Sequence, residues 1–100
     1  MLEIQAIGNL GGNAKVIEWN GKKFLSFSVG ITEKRKKSAS ERVEVTTWVD
    51  CTMNHSEIFE KLLVKGKKVF VRGSVSTSIW TKETAVGVNV KCRIKDIFLL

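Results

Sequence analysis

The residues in this sequence best equipped for chemistry are flat aromatics and cations. Trp48 stands in "VTTWVDC", Trp80 in "SIWTKE", and Lys34, Arg35, Lys36 and Lys37 form an unbroken basic run inside "EKRKKSASER". Aromatic faces accept unstacked bases and cations follow phosphates, so the combination suits binding of single-stranded nucleic acid without sequence preference. Phe70, Arg72, Lys91 and Arg93 extend the same set. No catalytic constellation accompanies it. His55 has no partnering nucleophile or carboxylate pair and reads as a helix-terminal residue. Cys51, Cys92 and that single histidine do not make a metal-ligand spacing, so no metal, cofactor or enzymatic activity is expected.

Composition sets the outer bounds. A chain of 100 residues with 43% hydrophobic content suits one domain spanning residues 1–100. Lys and Arg number 17 against 10 Asp and Glu, a net charge of +7 that favours polyanionic partners. No apolar run reaches the roughly 18 residues of a membrane span, and the N-terminus lacks a basic segment followed by an apolar one. No membrane partner is expected, and a cytoplasmic location is the simplest reading. Cys51 and Cys92 fall at apolar positions of predicted strands and are expected to be buried, reduced thiols.

The elements that must position these side chains follow from periodicity. Met1 to Leu10 reads as a strand broken by "GNLGGN", and "AKVIEW" and "KKFLSFSVGIT" flank Asn20-Gly21, the signature of a two-residue hairpin turn. The basic connector follows. In "RVEVTTWVDCTM" Val43, Val45, Thr47, Val49 and Cys51 share one face, which leaves Trp48 on the other. "NHSEIFEKLLVKG" shifts to helical spacing, with Asn54 and Glu57 as a capping pair and Gly66 at the C-terminal cap, giving a helix of about three turns. Alternation resumes in "KKVFVRGSVSTSIW", where Val69, Val71, Val75 and Ile79 point inward and Phe70, Arg72 and Trp80 outward. The last run, "AVGVNVKCRIKDIFLL", turns Lys91 and Arg93 outward as a basic stripe. This order predicts an all-β, five-stranded Greek-key barrel of the OB type, with one short helix between its third and fourth strands.

Each feature also has a plainer explanation. A basic run is often only a solvated loop, and an outward tryptophan can cover a barrel end or sit in a subunit interface. The coincidence of two outward tryptophans, a basic connector and a basic last strand on one barrel favours binding. On that reading the connector is a flexible electropositive finger that folds over a bound strand. Trp19, beside the Asn20-Gly21 turn, is the weakest of the three tryptophans as a contact.

Taken in order, "IGNLGG", "NG" followed by "FSVGITE", "VTTWVDC", "LVKGKKVFVRGSV" and the Trp of "SIWTKE" resemble the bacterial-type single-stranded DNA-binding proteins over most of the chain. The resemblance implies an OB barrel, a homotetramer with a dimer as the alternative, and the coating of single-stranded DNA during replication, recombination and repair. It assigns Trp48 and Trp80 to the family's two stacking tryptophans. There are departures. A further aromatic of the family falls near Arg35 and a DNA-contacting Phe at about Asn54, while Ser74, Ser76 and Ser78 stand where several members carry cations. The sequence also stops at "DIFLL", without the linker and acidic tip through which most bacterial members recruit repair enzymes, so such recruitment is not expected from it. Truncation and a tailless member of phage or mobile-element type, acting in the bacterial nucleoid, both fit. The alternatives carried forward are a dimeric primosome-type OB protein and an OB module that binds protein through its exposed tryptophans.

Overall fold

Side chains that alternate in polarity every second residue generate most of this structure. The computed structural model describes residues 2–36, 38–82 and 85–100, without the side chains of Arg35, of residues 80–82 and of residues 85–88. Six strands and one helix follow in the order β1 (Glu3–Leu10), β2 (Lys15–Trp19), β3 (Lys22–Lys36), β4 (Arg42–Asn54), α1 (Glu57–Leu62), β5 (Lys68–Lys82) and β6 (Ala85–Leu99). In β3 the buried Leu25, Phe27 and Val29 are separated by half-buried Ser26 and Ser28, the pattern of a strand with one face on a core. The turn from β2 to β3 places Asn20 at φ 51° and Gly21 at φ 75°. Consecutive left-handed residues are what a two-residue type I′ hairpin requires, as the Asn-Gly pair predicts.

The sheet order is β1-β5-β6-β4-β3-β2, with β1 also reaching β3. β1 runs antiparallel to β5 from Glu3 opposite Ser74 to Asn9 opposite Lys68, and its end pairs Asn9 with Gly30 and Leu10 with Val29. That switch closes the sheet into a ring. β4 and β6 pair in parallel over Val49–Thr52 and Val90–Arg93. The OB-type barrel is therefore as expected. Its strand count is six rather than five because the short arm β2 forms a strand of its own, leaving the helix between β4 and β5.

Among the described residues ten fill the ring: Leu10, Leu25, Phe27, Val29, Val49, Cys51, Leu63, Val69, Val71 and Cys92. Burying each large aliphatic or aromatic among them contributes about 1.5–3 kcal/mol relative to exposure. Leu63 comes from just beyond α1, and its position explains the helix. The helix has six residues rather than three turns, and Ser56, not Asn54, caps it by accepting the Phe59 N–H at 3.4 Å. The chain must leave the helix at Leu63 so that this side chain enters the barrel while its carbonyl accepts the Ala14 N–H at 2.9 Å. Gly66, at φ 86°, lies in the following turn and donates its N–H to the Leu10 carbonyl at 2.8 Å. His55 is held at the helix start by a 2.7 Å contact between its Nε2 and Glu60 Oε1.

Two hairpins run on past the barrel. β3 and β4 stay in register from Phe24 opposite Asn54 to Lys36 opposite Arg42, so the basic stretch is not the free finger expected from its composition. Val43 and Val45 continue the strand pattern, Lys34 lies opposite Glu44, and the Thr32 and Thr46 hydroxyls meet at 3.0 Å. Opposite charges facing each other across a strand pair stabilise it by about 0.2–1 kcal/mol. Lys37 lies outside the described residues. β5 and β6 pair as far as Lys82 opposite Ala85. Ile79, expected to face inward, is 73% exposed because this hairpin has left the core behind.

Cys51 and Cys92 face each other across the parallel pair, and both are buried free thiols. Burial, followed by the neighbouring Cys92 and Asp50, pushes the Cys51 thiol from its ordinary 9.0 up to about 12. Above pH 9 the unfolded chain loses this proton while the folded chain keeps it, so the thiol's contribution to stability disappears between pH 9 and about 12. Both thiols should resist a disulfide reagent such as DTNB in the native protein at pH 8 and react stoichiometrically in denaturant. Fast reaction of either in the native state would contradict the packing described.

Candidate nucleic-acid interface

Trp48 is outward because Val49 and Cys51, which follow it in the opposite phase of β4, are buried, and it remains 53% exposed. What lies beneath it is unusual for so large a ring. The indole rests on two glycines: a Cβ at Gly11 would lie 2.6 Å from it, and one at Gly30, its cross-strand partner, 2.9 Å. Gly11 is itself fixed by an N–H bond to the Ser28 carbonyl at 3.0 Å. The ring thus lies over bare backbone and borders an open cleft of about 460 Å³ whose other walls include Asn13, Lys15, Ser26 and Ser28.

The same outward face continues along β4 and its neighbours. Asp50, opposite Ser28, accepts a 3.1 Å hydrogen bond from the Ser28 hydroxyl. On the other side of β4, Lys91 lies opposite Asp50 and Arg93 opposite Thr52, and both cations are exposed. In the other direction the alternation puts exposed Lys34 and Lys36 in phase with Trp48. Arg35 takes the intervening register position, opposite Val43. The backbone of Trp80 lies in β5 opposite Gly87; its side chain and that of Arg35 are outside the described residues.

Phe70 and Arg72 are not brought to this face of the barrel. Phe70 packs against Phe98 with ring centroids 5.9 Å apart and is flanked by Ile7, which makes a row across β1, β5 and β6. That row is eight residues along β6 from Val90, the residue beside Val49. Arg72 forms a two-pronged ion pair with Asp96, whose Nε bond is 2.8 Å, and part of its charge is already answered. Lys15, by contrast, lines the Trp48 cleft although its sequence context gave no hint of it; only the β2–β3 register, which sets it opposite Ser26, reveals this.

Such a surface can hold a flat ring against Trp48 and an anionic backbone along Lys91 and Arg93. Among the described residues there is no group of three or more His, Cys, Asp or Glu able to hold a metal, and no helix long and apolar enough to cross a membrane.

Comparison with known proteins points the same way. The model of the single-strand binding protein family matches residues 1–97. Single-stranded DNA-binding proteins of Rickettsia typhi and Rickettsia prowazekii are each 34% identical over 79 residues, 74% of this chain and 52% of theirs. The chain thus spans about half the length of these curated relatives. Among solved structures, a Plasmodium falciparum SSB in complex with ssDNA has a TM-score of 0.78 at 24% identity, covering 100% of this chain and 95% of that one. A small single-stranded DNA-binding protein from Streptomyces coelicolor has a TM-score of 0.77 at 15% identity, covering 98% and 93%. At these identities the two structures speak for the barrel fold.

The glycine floor is open to a direct check. Neither Gly11 nor Gly30 has positive φ, so alanine is compatible with the backbone and only the indole stands in its way. In a chain whose sole tryptophan is Trp48, Gly11→Ala should preserve the thermal midpoint within a few degrees and lift the ring, shifting its emission and increasing quenching by acrylamide. Unchanged emission would mean that the ring does not lie on Gly11.

Proposed function

Because the chain belongs to the single-strand binding protein family, by the match over residues 1–97, we propose that it binds single-stranded DNA without sequence preference and covers it during replication, recombination and repair. It does so as a non-catalytic protein of the cytoplasm. The observation that carries this reading is the exposed Trp48 ring, packed against Gly11 and Gly30 beside the outward cations Lys91 and Arg93.

The mechanism is adsorption onto a preformed surface. A base leaves its neighbours and stacks on Trp48, which contributes about 1–3 kcal/mol per base. The indole is already packed against the backbone of Gly11 and Gly30, which limits the rotamer freedom left to lose on binding. Lys34, Lys36, Lys91 and Arg93, with Lys15 at the cleft wall, receive the phosphates. The released counterions make affinity fall as salt rises. By family resemblance Trp80 adds a second stacking ring, and Arg35 and Lys37 of the basic run add charge. Since any base has a flat face and any nucleotide a phosphate, the surface takes all sequences.

The proposed assembly is a homotetramer. Ile7, Phe70 and Phe98 support it, since they align across three strands and leave Phe98 60% exposed, an apolar row that a second copy of the chain would cover. Phe70 then serves assembly rather than stacking.

Trp48→Ala should weaken binding to oligo-dT by about 1–3 kcal/mol while leaving the dependence on salt unchanged. Lys91→Ala should instead flatten the plot of log affinity against log salt by about 0.7. An unaltered affinity in Trp48→Ala would remove the stacking mechanism. Sedimentation of the purified chain should give four times the chain mass, and Phe98→Glu should lower it; a stable dimer would favour the primosome-type alternative.

A further inference from the structure

A second cleft opens on the outward side of the sheet, at the β2 edge. Ile17, Trp19, Phe24, Thr52 and Arg93 enclose about 190 Å³. The register explains how residues so far apart in sequence meet. Ile17 lies opposite Phe24 and Trp19 opposite Lys22 on the β2–β3 hairpin, while Thr52 of β4 joins Ser26 on one side and Arg93 on the other. Because Leu25 is fully buried, Phe24 and Ser26 point outward, as do Ile17 and Trp19 opposite that phase. Trp19 is 70% exposed, and the Arg93 guanidinium sits 5.7 Å from the centre of the Phe24 ring.

We infer that this cleft is a second base-binding subsite for single-stranded DNA, in which an unstacked base lies against Trp19 and the Arg93–Phe24 pair. The inference rests on the reading given under Proposed function and adds a place on the strand's path. Its size suits one ring: an apolar cavity of roughly 150 Å³ accepts a benzene molecule. Its walls offer an indole and a guanidinium plane, the surfaces on which bases stack. Its surroundings suit a polyanion, since Lys15 and Lys22 occupy the neighbouring outward positions of the hairpin.

Continuity with the Trp48 cleft is the strongest argument. Ser26 lines the first cleft and its cross-strand partner Thr52 lines the second. Trp48 and Thr52 are four residues apart on one strand face, a separation of about 13 Å. A strand that stacks one base on Trp48 and runs past Lys91 to Arg93 arrives at Trp19 within a few nucleotides. A protein segment docking on Trp19 would have no comparable reason to cross the row of cations.

The test uses the full chain with Trp48→Phe and Trp80→Phe, which keeps aromatic rings at both positions and leaves Trp19 as the sole emitter. Binding of fluorescein-labelled oligo-dT is followed by anisotropy and Trp19 emission in parallel. Saturable quenching of Trp19, tracking the anisotropy, is the expected result. In the otherwise unaltered chain Trp19→Ala should weaken oligo-dT binding about fivefold or more, and Trp19→Phe should restore most of it. Binding by anisotropy with silent Trp19 emission and an unaffected Trp19→Ala variant overturns the subsite but leaves the Trp48 interface standing. Failure of the unaltered chain to bind oligo-dT would remove both.

Discussion

Closure of the sheet on itself is the constraint from which the remainder follows. β1 belongs to β5 for most of its length and to β3 at its end, and this is feasible only because Gly8 lets the two backbones meet: a Cβ there would lie 2.4 Å from the Gly30 carbonyl oxygen. Once the ring is closed, a strand's period of two leaves no freedom in what faces out. Val49 and Cys51 must fill the interior beside Val29 and Phe27, and Trp48 and Asp50 must therefore face solvent. Burial of the core and outward presentation of the Trp48 face are one geometric event.

The surface that results is shaped as much by missing side chains as by present ones. Gly11 and Gly30 clear a floor for Trp48, and small hydroxyl residues, Ser26, Ser28 and Thr52, keep the path along the face low. Cations then stand at its margins rather than across it. Two ion pairs lie away from Trp48: Arg72 with Asp96, and Lys95 with Glu3, whose carboxyl is held below its ordinary value first by the lysine's hydrogen bond and then by its charge. Exposed pairs of this kind contribute little to stability. They neutralise charge near the apolar row of Ile7, Phe70 and Phe98, away from the exposed Lys91 and Arg93.

The sequence revealed whatever depends on local alternation. The barrel type, the Asn20-Gly21 turn, the outward Trp48 and the paired burial of Cys51 and Cys92 all follow from residue period and turn chemistry. It failed where tertiary contacts override local preference. The helix is cut short because Leu63 is needed in the barrel and Ala14 needs its carbonyl, and neither demand is visible in "EIFEKLLVKG". Composition made residues 33–42 read as a flexible finger, whereas cross-strand pairing with residues 42–45 extends β3 to Lys36. Phe24 was outward by simple phase from Leu25, but its meeting with Trp19 and Arg93 depends on two strand registers that no single segment encodes. For the same reason Phe70, equally outward by phase, belongs to a different part of the surface from Trp48.

The central claim is that one outward face, that of β3, β4 and β6, receives the nucleic acid. Backbone amide NMR shifts recorded during titration with oligo-dT test it most directly, because every described strand reports at once. The account predicts that the largest changes gather on Ser26, Ser28, Trp48, Asp50, Thr52, Lys91 and Arg93. Changes concentrated instead on Ile7, Phe70 and Phe98, with the Trp48 face silent, would contradict it.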